Sequence, residues 1–237
     1  MSVCEVLDTE YGLMLVASND WNQTRALRDT GRGVHHERML LLAELLGAMP
    51  DGRVVVDAGA NLGAFAVPLS AHLAGGMLHA FEPQPVIFNM LAGSLALTQC
   101  TSVRAHNVAL GDRDGRIEVP QFNYESTSGM NFGSIEFGPE QIEGLNQTRG
   151  SDTARVEFVP LRRLDSYDFP RLDLMKIDVQ RMEIPLLTGA AETLSRCRPV
   201  LFIEWVGNDR DTLAQSLTLH GYRIDREVGD DWLCFPV

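Results

Sequence analysis

From residue 53 onward, short apolar runs alternate with longer segments of helical spacing, and several of the runs end at an acidic residue. The first run contains three successive valines, and a continuous β-branched run is typical of a parallel strand covered on both faces. Strands are predicted at residues 53–58, 77–82, 102–110, 172–178 and 199–205. Helices are predicted between them, at residues 64–74, 84–98 and 183–194. This alternation predicts a doubly wound, mostly parallel α/β sheet.

Smaller elements are predicted at both ends of the chain. After the fifth strand, the pattern predicts a helix and then a hairpin that supplies an antiparallel last strand, at residues 209–220, 222–228 and 232–236. Before the sheet, it predicts a hairpin and an amphipathic helix, at residues 3–16 and 36–48. The apolar face of that first helix is formed by Met39, Leu42, Ala43 and Leu46.

The domain organisation follows from length and composition. A chain of 237 residues that is 45% hydrophobic can bury one full core, so a single domain is expected. We predict an N-terminal cap at residues 1–52 and the sheet domain at residues 53–237, with an insert at residues 116–160. The polar residues 21–37 of the cap, here called the lid segment, are predicted to fold over the open edge of the sheet. Exposed polar residues at the start of a helix are the alternative.

The insert contains the least regular part of the sequence, residues 121–150, here called the substrate loop. A long irregular stretch in a compact domain is usually functional or disordered. Its aromatic and amide side chains favour contact with a substrate, and the candidates are Tyr124, Asn131 and Phe132. A mobile surface excursion is the alternative.

A glycine-rich loop follows the first strand of the sheet. Asp57 precedes Gly59 and Gly63, and glycine lets the backbone approach a ligand closely or adopt a positive φ. About twenty residues later the second strand ends at Glu82, where an acidic side chain can accept hydrogen bonds from ribose hydroxyls. The spacing differs from the G-x-G-x-x-G of dinucleotide-binding enzymes and matches the Asp-x-Gly-x-x-x-Gly of S-adenosylmethionine (SAM) enzymes. A tight turn without a ligand is the alternative.

Five segments together resemble the FkbM-type methyltransferase family, over about residues 53–205. They are VVVDAGANLGAFAVPLSAHL, LHAFEPQPVIFNML, NVALGDRDG, LDLMKIDVQRMEIPLLTGA and RPVLFIEW. The resemblance implies a class I Rossmann-like methyltransferase fold, with a seven-stranded sheet whose last strand is antiparallel, and use of SAM as the cofactor. It implies methylation of a hydroxyl on a sugar or secondary metabolite. The predicted cofactor pocket comprises Asp57, Gly59, Ala60, Asn61, Gly63, Glu82, Pro83, Asn107, Val108, Ala109 and Asp178.

Three residues are candidates for the chemistry. Asp178 follows the strand predicted to lie beside the glycine strand, so it is the first candidate for a base that receives or orients the acceptor proton. Glu204 ends the neighbouring strand and could share a proton with Asp178. His35 comes from the lid segment. A helix cap for Asp178 and an arginine partner for Glu204 are the alternatives. A Mg²⁺ site between the two carboxylates lacks an obvious third ligand, so no metal is predicted.

The sequence departs from the family pattern after the fourth strand. The family has Lys-Ile-Asp-Val-Glu-Gly, whereas Gln180 and Arg181 occupy the last two positions here. An amide and a cation replace a carboxylate and a glycine. We predict that both side chains contact the acceptor and change its preference; altered activity is the alternative.

Composition restricts the partners and the compartment. A formal charge of −12 argues against a nucleic-acid partner. The four cysteines lack C-x-x-C spacing and no secretory leader is recognised, so we expect a cytoplasmic protein. No apolar run approaches the ~20 residues that span a bilayer, so no membrane association is expected. The sequence does not indicate an oligomeric state.

The leading hypothesis is a SAM-dependent methyltransferase that acts on a hydroxyl of a small molecule. N-methylation of an amine or peptide is an alternative, since an acidic protein suits a cationic acceptor. A non-catalytic SAM-binding partner is another, because the change at Gln180 and Arg181 permits it.

Overall fold

The computed structural model describes residues 3–120, 122, 124, 130–135 and 156–237. In chain order its strands are β1 (Cys4–Thr9), β2 (Gly12–Ala17), β3 (Val54–Ala58), β4 (Met77–Phe81), β5 (Val103–His106), β6 (Ala109–Leu110), β7 (Gly115–Pro120), β8 (Val156–Arg162), β9 (Leu174–Ile177), β10 (Val200–Glu204), β11 (Tyr222–Val228) and β12 (Asp231–Pro236). Its α-helices are α1 (Gln23–Thr30), α2 (His36–Gly47), α3 (Ala66–Leu69), α4 (Pro85–Leu97), α5 (Glu183–Gly189), α6 (Ala191–Cys197) and α7 (Arg210–Leu219).

The centre of the described chain is a seven-stranded sheet in the order β5-β4-β3-β9-β10-β12-β11. The first five strands in this order pair in parallel, and β12 runs antiparallel to both β10 and β11. The predicted doubly wound sheet with an antiparallel last strand is therefore confirmed. The order reverses at β3 and β9, and ligands bind at such reversal points in open α/β sheets.

Packing explains the continuous valines of β3. Val55 and Val56 are both fully buried, but they belong to different hydrophobic clusters, one on each face of the sheet. The first cluster includes Leu42 of α2 and Leu91 of α4, and the second includes Leu186 of α5. Because both faces are covered, no position in the strand favours a polar side chain on packing grounds.

Three predicted elements are shorter or divided. The helix expected at residues 64–74 is α3 alone, followed by a 3₁₀ turn at Ser70–His72. The strand expected at residues 102–110 ends at His106, because the Asn107 amide donates to the carbonyls of Glu82 and Pro83 and turns the chain away. The helix expected at residues 183–194 divides into α5 and α6, and Gly189 at the break lies directly against the carbonyl of Gly111.

The insert contributes a second small sheet, in the order β6-β8-β7. β7 and β8 are antiparallel, whereas β6 pairs with β8 in parallel. Most of the substrate loop, residues 121, 123, 125–129 and 136–150, lies outside the described residues.

The N-terminal residues divide into two parts with different surroundings. The β1–β2 hairpin packs on α4, where the backbone N–H of Leu15 donates to the Ser94 hydroxyl at 3.0 Å. The predicted helix is confirmed as α2, and its Arg38 forms ion pairs with Asp230 and Asp231 at the turn between β11 and β12. The lid segment is thereby tied to the end of the sheet at which β10 finishes, since Asp231 pairs with Glu204. No helix in the described part of the chain is long and apolar enough to cross a bilayer.

Candidate active site

A cavity of about 380 Å³ opens at the carboxyl ends of β3, β4, β9 and β10. This volume is within the ~300–1,000 Å³ typical of small-molecule sites. The predicted residues that line it are Gly59, Ala60, Asn61, Glu82, Pro83, Val108, Ala109, Asp178, Glu204, His35, Asn131, Phe132, Gln180 and Arg181. The structure therefore brings most of the predicted site residues to one cavity.

The glycine loop is fixed against both neighbouring strands. The N–H groups of Gly59 and Ala60 donate to the carbonyl of Phe81 at 3.0 and 2.9 Å. Gly59 has a φ of +80°, and a Cβ atom there would lie 1.8 Å from the carbonyl oxygen of Asp178. Only glycine combines this conformation with so close an approach. The loop can thus form one wall of the cavity without filling it.

Glu82 connects this loop to the end of β4. Its side chain is buried, and its two oxygens accept hydrogen bonds from the backbone N–H groups of Asn61 and Gln84 at 2.9 and 2.8 Å. Burial raises the pKa of Glu82 to about 7, although the two N–H groups and Lys176 oppose the shift. Each carboxylate oxygen keeps a further lone pair, so Glu82 can still accept hydrogen bonds from a ligand.

Asp57 lies beneath the cavity and forms no part of its wall. Its side chain is fully buried, and Lys176 Nζ lies 3.1 Å from its Oδ1. The same ammonium lies 3.6 Å from Asp178 Oδ2 and donates to the carbonyl of Gly59 at 3.2 Å. Burial opposes the charged form of Lys176, but Asp57 and Asp178 outweigh it and raise the pKa of the ammonium above its usual value. Asp57 is therefore a partner of Lys176, which corrects its prediction as a direct ligand-binding residue.

Asp178 and Glu204 meet through a side chain from the next turn. Gln180 Nε2 donates to Asp178 Oδ1 at 2.6 Å and to Glu204 Oε2 at 3.0 Å. Burial, followed by the charge of Asp178, raises the pKa of Glu204 to about 9. Asp178 does not cap the following helix, because the N-cap of α5 is Met182 and has no side-chain hydrogen bond; Glu183 accepts from the backbone N–H of Val179 at 2.9 Å.

The lid segment and the described part of the substrate loop are joined to each other. The backbone N–H of Trp21 donates to the carbonyl of Met130 at 2.9 Å, beside a β-bridge between Asp20 and Met130. The Asn22 amide donates to Asn131 Oδ1 at 3.4 Å. The two segments joined in this way are here called the roof, and Asn22 and Asn131 both line the cavity.

His35 reaches the cavity from the lid segment, immediately before α2. Burial lowers its pKa, and the nearby Arg38 lowers it further, while Asp178 opposes the shift. The imidazole is therefore mainly neutral at pH 7. Arg181, at the opposite part of the wall, has a φ of +73° and packs against Gly207.

Three further predicted residues do not line the cavity. Gly63 packs against Leu91, and Asn107 acts only through its hydrogen bonds to the backbone that follows β4. Tyr124 stacks behind Phe132, with ring centroids 4.9 Å apart. Among the described residues, no group of three or more His, Cys, Asp or Glu side chains could hold a metal ion.

Sequence patterns missed several residues of the wall, namely Asn22, Gln23, Gln84 and Lys176. Lys176 could have been found, because it is the only lysine in the sequence and stands inside an otherwise apolar strand. The other three reach the cavity through contacts between distant segments, which no local pattern reports. Gln84, for example, donates to the carbonyl of Phe132 at 2.8 Å.

A family model described as the methyltransferase FkbM domain matches residues 57–224, well over half of the chain. The chain belongs to this FkbM methyltransferase family. Its match begins in β3 and ends in β11, so it includes all the strands whose carboxyl ends form the cavity. The family assignment that the sequence predicts is therefore confirmed.

Two fungal relatives agree with this assignment. Methyltransferase 1 of Beauveria bassiana is 26% identical over 169 residues, covering 66% of this chain and 66% of the relative. Methyltransferase sdnD of Sordaria araneosa is 29% identical over 168 residues, covering 61% of this chain and 62% of the relative. The chain therefore spans slightly less than two thirds of the length of each.

One solved structure supports the fold assignment. A methyltransferase FkbM from Methylobacillus flagellatus KT superimposes with a TM-score of 0.55 at 18% identity, covering 80% of this chain and 45% of that one. The likeness concerns the class I methyltransferase fold.

Proposed function

We propose that this enzyme transfers a methyl group from S-adenosyl-L-methionine to a hydroxyl group of a small molecule. The observation that carries the proposal is the bond between Asn61 and Glu82, which brings the glycine loop and the acid of the next strand to one wall of the cavity. A nucleoside donor needs both features, a close backbone approach and an acceptor for ribose hydroxyls.

The residues present fit such a donor. Gly59 lets the loop pack directly against the carbonyl of Asp178 at the edge of the cavity, and Glu82 keeps lone pairs for the ribose. Asn61 Oδ1 is buried without a hydrogen-bond partner among the described residues, so it can accept a further bond from a ligand. Val108 and Ala109 line the wall beside Pro83, which offers an apolar surface for the adenine. When bound, the donor supplies an electrophilic methyl group on a sulfonium.

The acceptor is assigned to the other end of the cavity, beside Asp178 and Glu204. Orientation of two reactants in one site is worth on the order of 10⁵–10⁸ M in effective molarity, and a positioned base adds roughly 10²–10⁴-fold. Asp178 is the proposed base. The roof formed by the lid segment and the substrate loop would keep water from the methyl donor.

An amine acceptor is the second candidate, because Asp178 and Glu204 would attract a cation to this end of the cavity. The amine must lose its proton before it attacks, and Asp178 would accept that proton. The small-molecule class is common to both candidates.

The test has two parts. Calorimetric titration with S-adenosyl-L-homocysteine, the product of the donor, should show binding, and NAD should not bind. A panel of hydroxyl-bearing and amine-bearing small molecules is then incubated with methyl-labelled donor and examined by mass spectrometry. Label on oxygen supports the proposal, and label on nitrogen supports the second candidate. Binding without turnover across the panel would favour a non-catalytic partner, and preference for NAD would contradict the donor.

A further inference from the structure

Asp178 and Glu204 follow neighbouring parallel strands but have different electrostatic surroundings. The buried ammonium of Lys176 lies 3.6 Å from Asp178 Oδ2, and both residues line the cavity. Within the described residues, Glu204 forms no ion pair with a lysine or arginine. Its pairing partner across the sheet is Asp231, a further acid. A buried positive charge therefore lies beside Asp178, whereas the sheet neighbour of Glu204 is an acid.

Gln180 holds these two carboxyl groups together. A side-chain amide nitrogen carries two hydrogens, and both are used here, one on Asp178 Oδ1 and the other on Glu204 Oε2. No donor remains on Gln180 for an acceptor molecule, so the prediction that it recognises the acceptor needs correction: only its carbonyl oxygen is left for that purpose.

The backbone supports this arrangement at an energetic cost. Gln180 and Arg181 both have positive φ values, +52° and +73°, in a region that non-glycine residues rarely occupy. The turn folds Gln180 back over the ends of β9 and β10. Such strain persists only where surrounding contacts fix it, and at Gln180 the two hydrogen bonds to the carboxyl groups are such contacts.

Two carboxylates that share one neutral amide cannot both be ionised at low cost. The other charged groups around Asp178 and Glu204 do not make the surroundings of the two carboxyl groups equal. Burial and the neighbouring charge of Asp178 favour the protonated form of Glu204. The ionisable groups that face the pair from other elements are Asp57 of β3, Glu183 of α5, Asp231 of β12, and His35 and Arg38 at the start of α2.

We propose that Lys176 and Gln180 are positioning residues that hold Asp178 and Glu204 as an unequal pair, with one proton, carried by Glu204. This inference rests on the proposed function and adds the proton's location. Asp178 stays ionised and receives the acceptor proton, whereas protonated Glu204 donates a hydrogen bond. In the transfer, the acceptor oxygen bonds to the methyl carbon as the carbon–sulfur bond breaks. The electron pair of that bond stays on sulfur, and the hydroxyl proton moves to Asp178.

The direct test is infrared spectroscopy of the free protein, which needs neither donor nor acceptor. At about pH 8, where Glu82 with its pKa of about 7 is mainly ionised, wild type should show the carbonyl stretch of a protonated carboxylic acid, and Glu204→Gln should lose that component in the difference spectrum. Asp178→Asn should lower the pH at which the band disappears, because the like charge is gone. Glu118→Gln removes an exposed glutamate and should leave the band unchanged. An unaltered band in Glu204→Gln, or an unmoved midpoint in Asp178→Asn, would overturn the proposal.

Kinetics test the positioning role separately. Gln180→Leu keeps the size of the side chain and removes both donated hydrogen bonds. It should lower kcat by about 10²-fold through misplacement of Asp178, while affinity for S-adenosyl-L-homocysteine stays within about twofold. Gln180→Glu also removes the amide donor when it is ionised, and it should shift the pH profile of kcat to higher pH, since a third carboxylate joins the pair. An unshifted profile in Gln180→Glu together with a wild-type rate in Gln180→Leu would contradict the role.

Different results would contradict the proposed function and the unequal carboxyl pair. Absence of product binding and of turnover in wild type would contradict the proposed function, yet the infrared band would still report where the proton resides. Normal turnover without the Glu204 band would contradict the unequal pair alone.

Discussion

The carboxylate of Glu82 accepts a hydrogen bond from the backbone N–H of Asn61, which joins the ends of two neighbouring strands at the cavity. In Glu82→Gln, the new NH₂ group would face one of the two N–H donors and the charge would be lost. We expect affinity for S-adenosyl-L-homocysteine to fall by about 1.5–3 kcal/mol, the range for hydrogen bonds to charged groups. Calorimetric titration measures this, with Glu118→Gln as the control for charge. Wild-type affinity in Glu82→Gln would remove it from the proposed donor site.

Gly59→Ala tests the close approach of the glycine loop to β9. The added Cβ would lie 1.8 Å from the carbonyl of Asp178, so the loop must move. Gly75 is a matched control, because it has a similar φ of +82° but a Cβ added there would meet no other part of the chain within 4 Å. We expect Gly75→Ala to cost about 1–2 kcal/mol for the backbone conformation alone, and Gly59→Ala to cost distinctly more in urea unfolding. Equal losses would show that the loop relaxes freely.

The ion pair between Arg38 and Asp231 is nearly buried, with side chains 15% and 5% exposed. Arg38→Met leaves Asp231 without its guanidinium partner, and removing one member of a buried pair costs about 3–5 kcal/mol. Arg25→Met removes an exposed pair with Asp29 and should cost about 0.2–1 kcal/mol or less. Urea unfolding of both variants gives the comparison. A small loss in Arg38→Met would mean that the lid segment is held mainly by other contacts.

Asn131 joins the two parts of the roof. Asn131→Ala removes the acceptor for the Asn22 amide and for the backbone N–H of Gly133. Because each bond contributes about 0.5–1.5 kcal/mol, we expect kcat/KM for the methyl acceptor to fall about three- to tenfold. Affinity for S-adenosyl-L-homocysteine should stay within about twofold. Thr101→Ala, an exposed position that does not line the cavity, is the control; parallel loss of product affinity in Asn131→Ala would indicate a structural role.

His79 and His106 stack on neighbouring strands, with Nδ1 of the first 3.1 Å from Nε2 of the second. Burial, with smaller contributions from His106 and Arg104, lowers the pKa of His79 from 6.5 to about 4. Between about pH 6.5 and about pH 4, His79 is protonated in the unfolded chain but neutral in the folded protein. The free energy of unfolding therefore decreases as pH falls through this range. In His79→Asn, this part of the pH dependence should be absent from urea unfolding. His72→Asn, at an exposed position, should retain it.

The strands of the sheet could be predicted because the sequence features that specify them lie within short, continuous segments. Three valines in succession, a glycine loop and an acid at the end of the next strand fix β3, β4 and the edge where the cavity forms. Lys176 illustrates what local patterns lack, since its role depends on Asp57, which precedes it by more than a hundred residues. The division of the helix at Gly189 depends likewise on a carbonyl from another segment, at Gly111. The sequence also predicted that Gln180 contacts the acceptor, because no local pattern shows that its side-chain amide donates to Asp178 and Glu204.

Part of the cavity lining comes from residues outside the stretch that matches the family. Asn22, Gln23 and His35 line the cavity, yet they precede the stretch that matches the family, residues 57–224. The shared part of the fold thus carries the glycine loop, Glu82 and the carboxyl pair, while an additional segment completes the enclosure. Substitutions within that segment can reshape one end of the chamber and leave the sheet untouched. We propose that acceptor preference can change at these three side chains, whereas Leu27 of the same segment belongs to the hydrophobic core and contributes to stability.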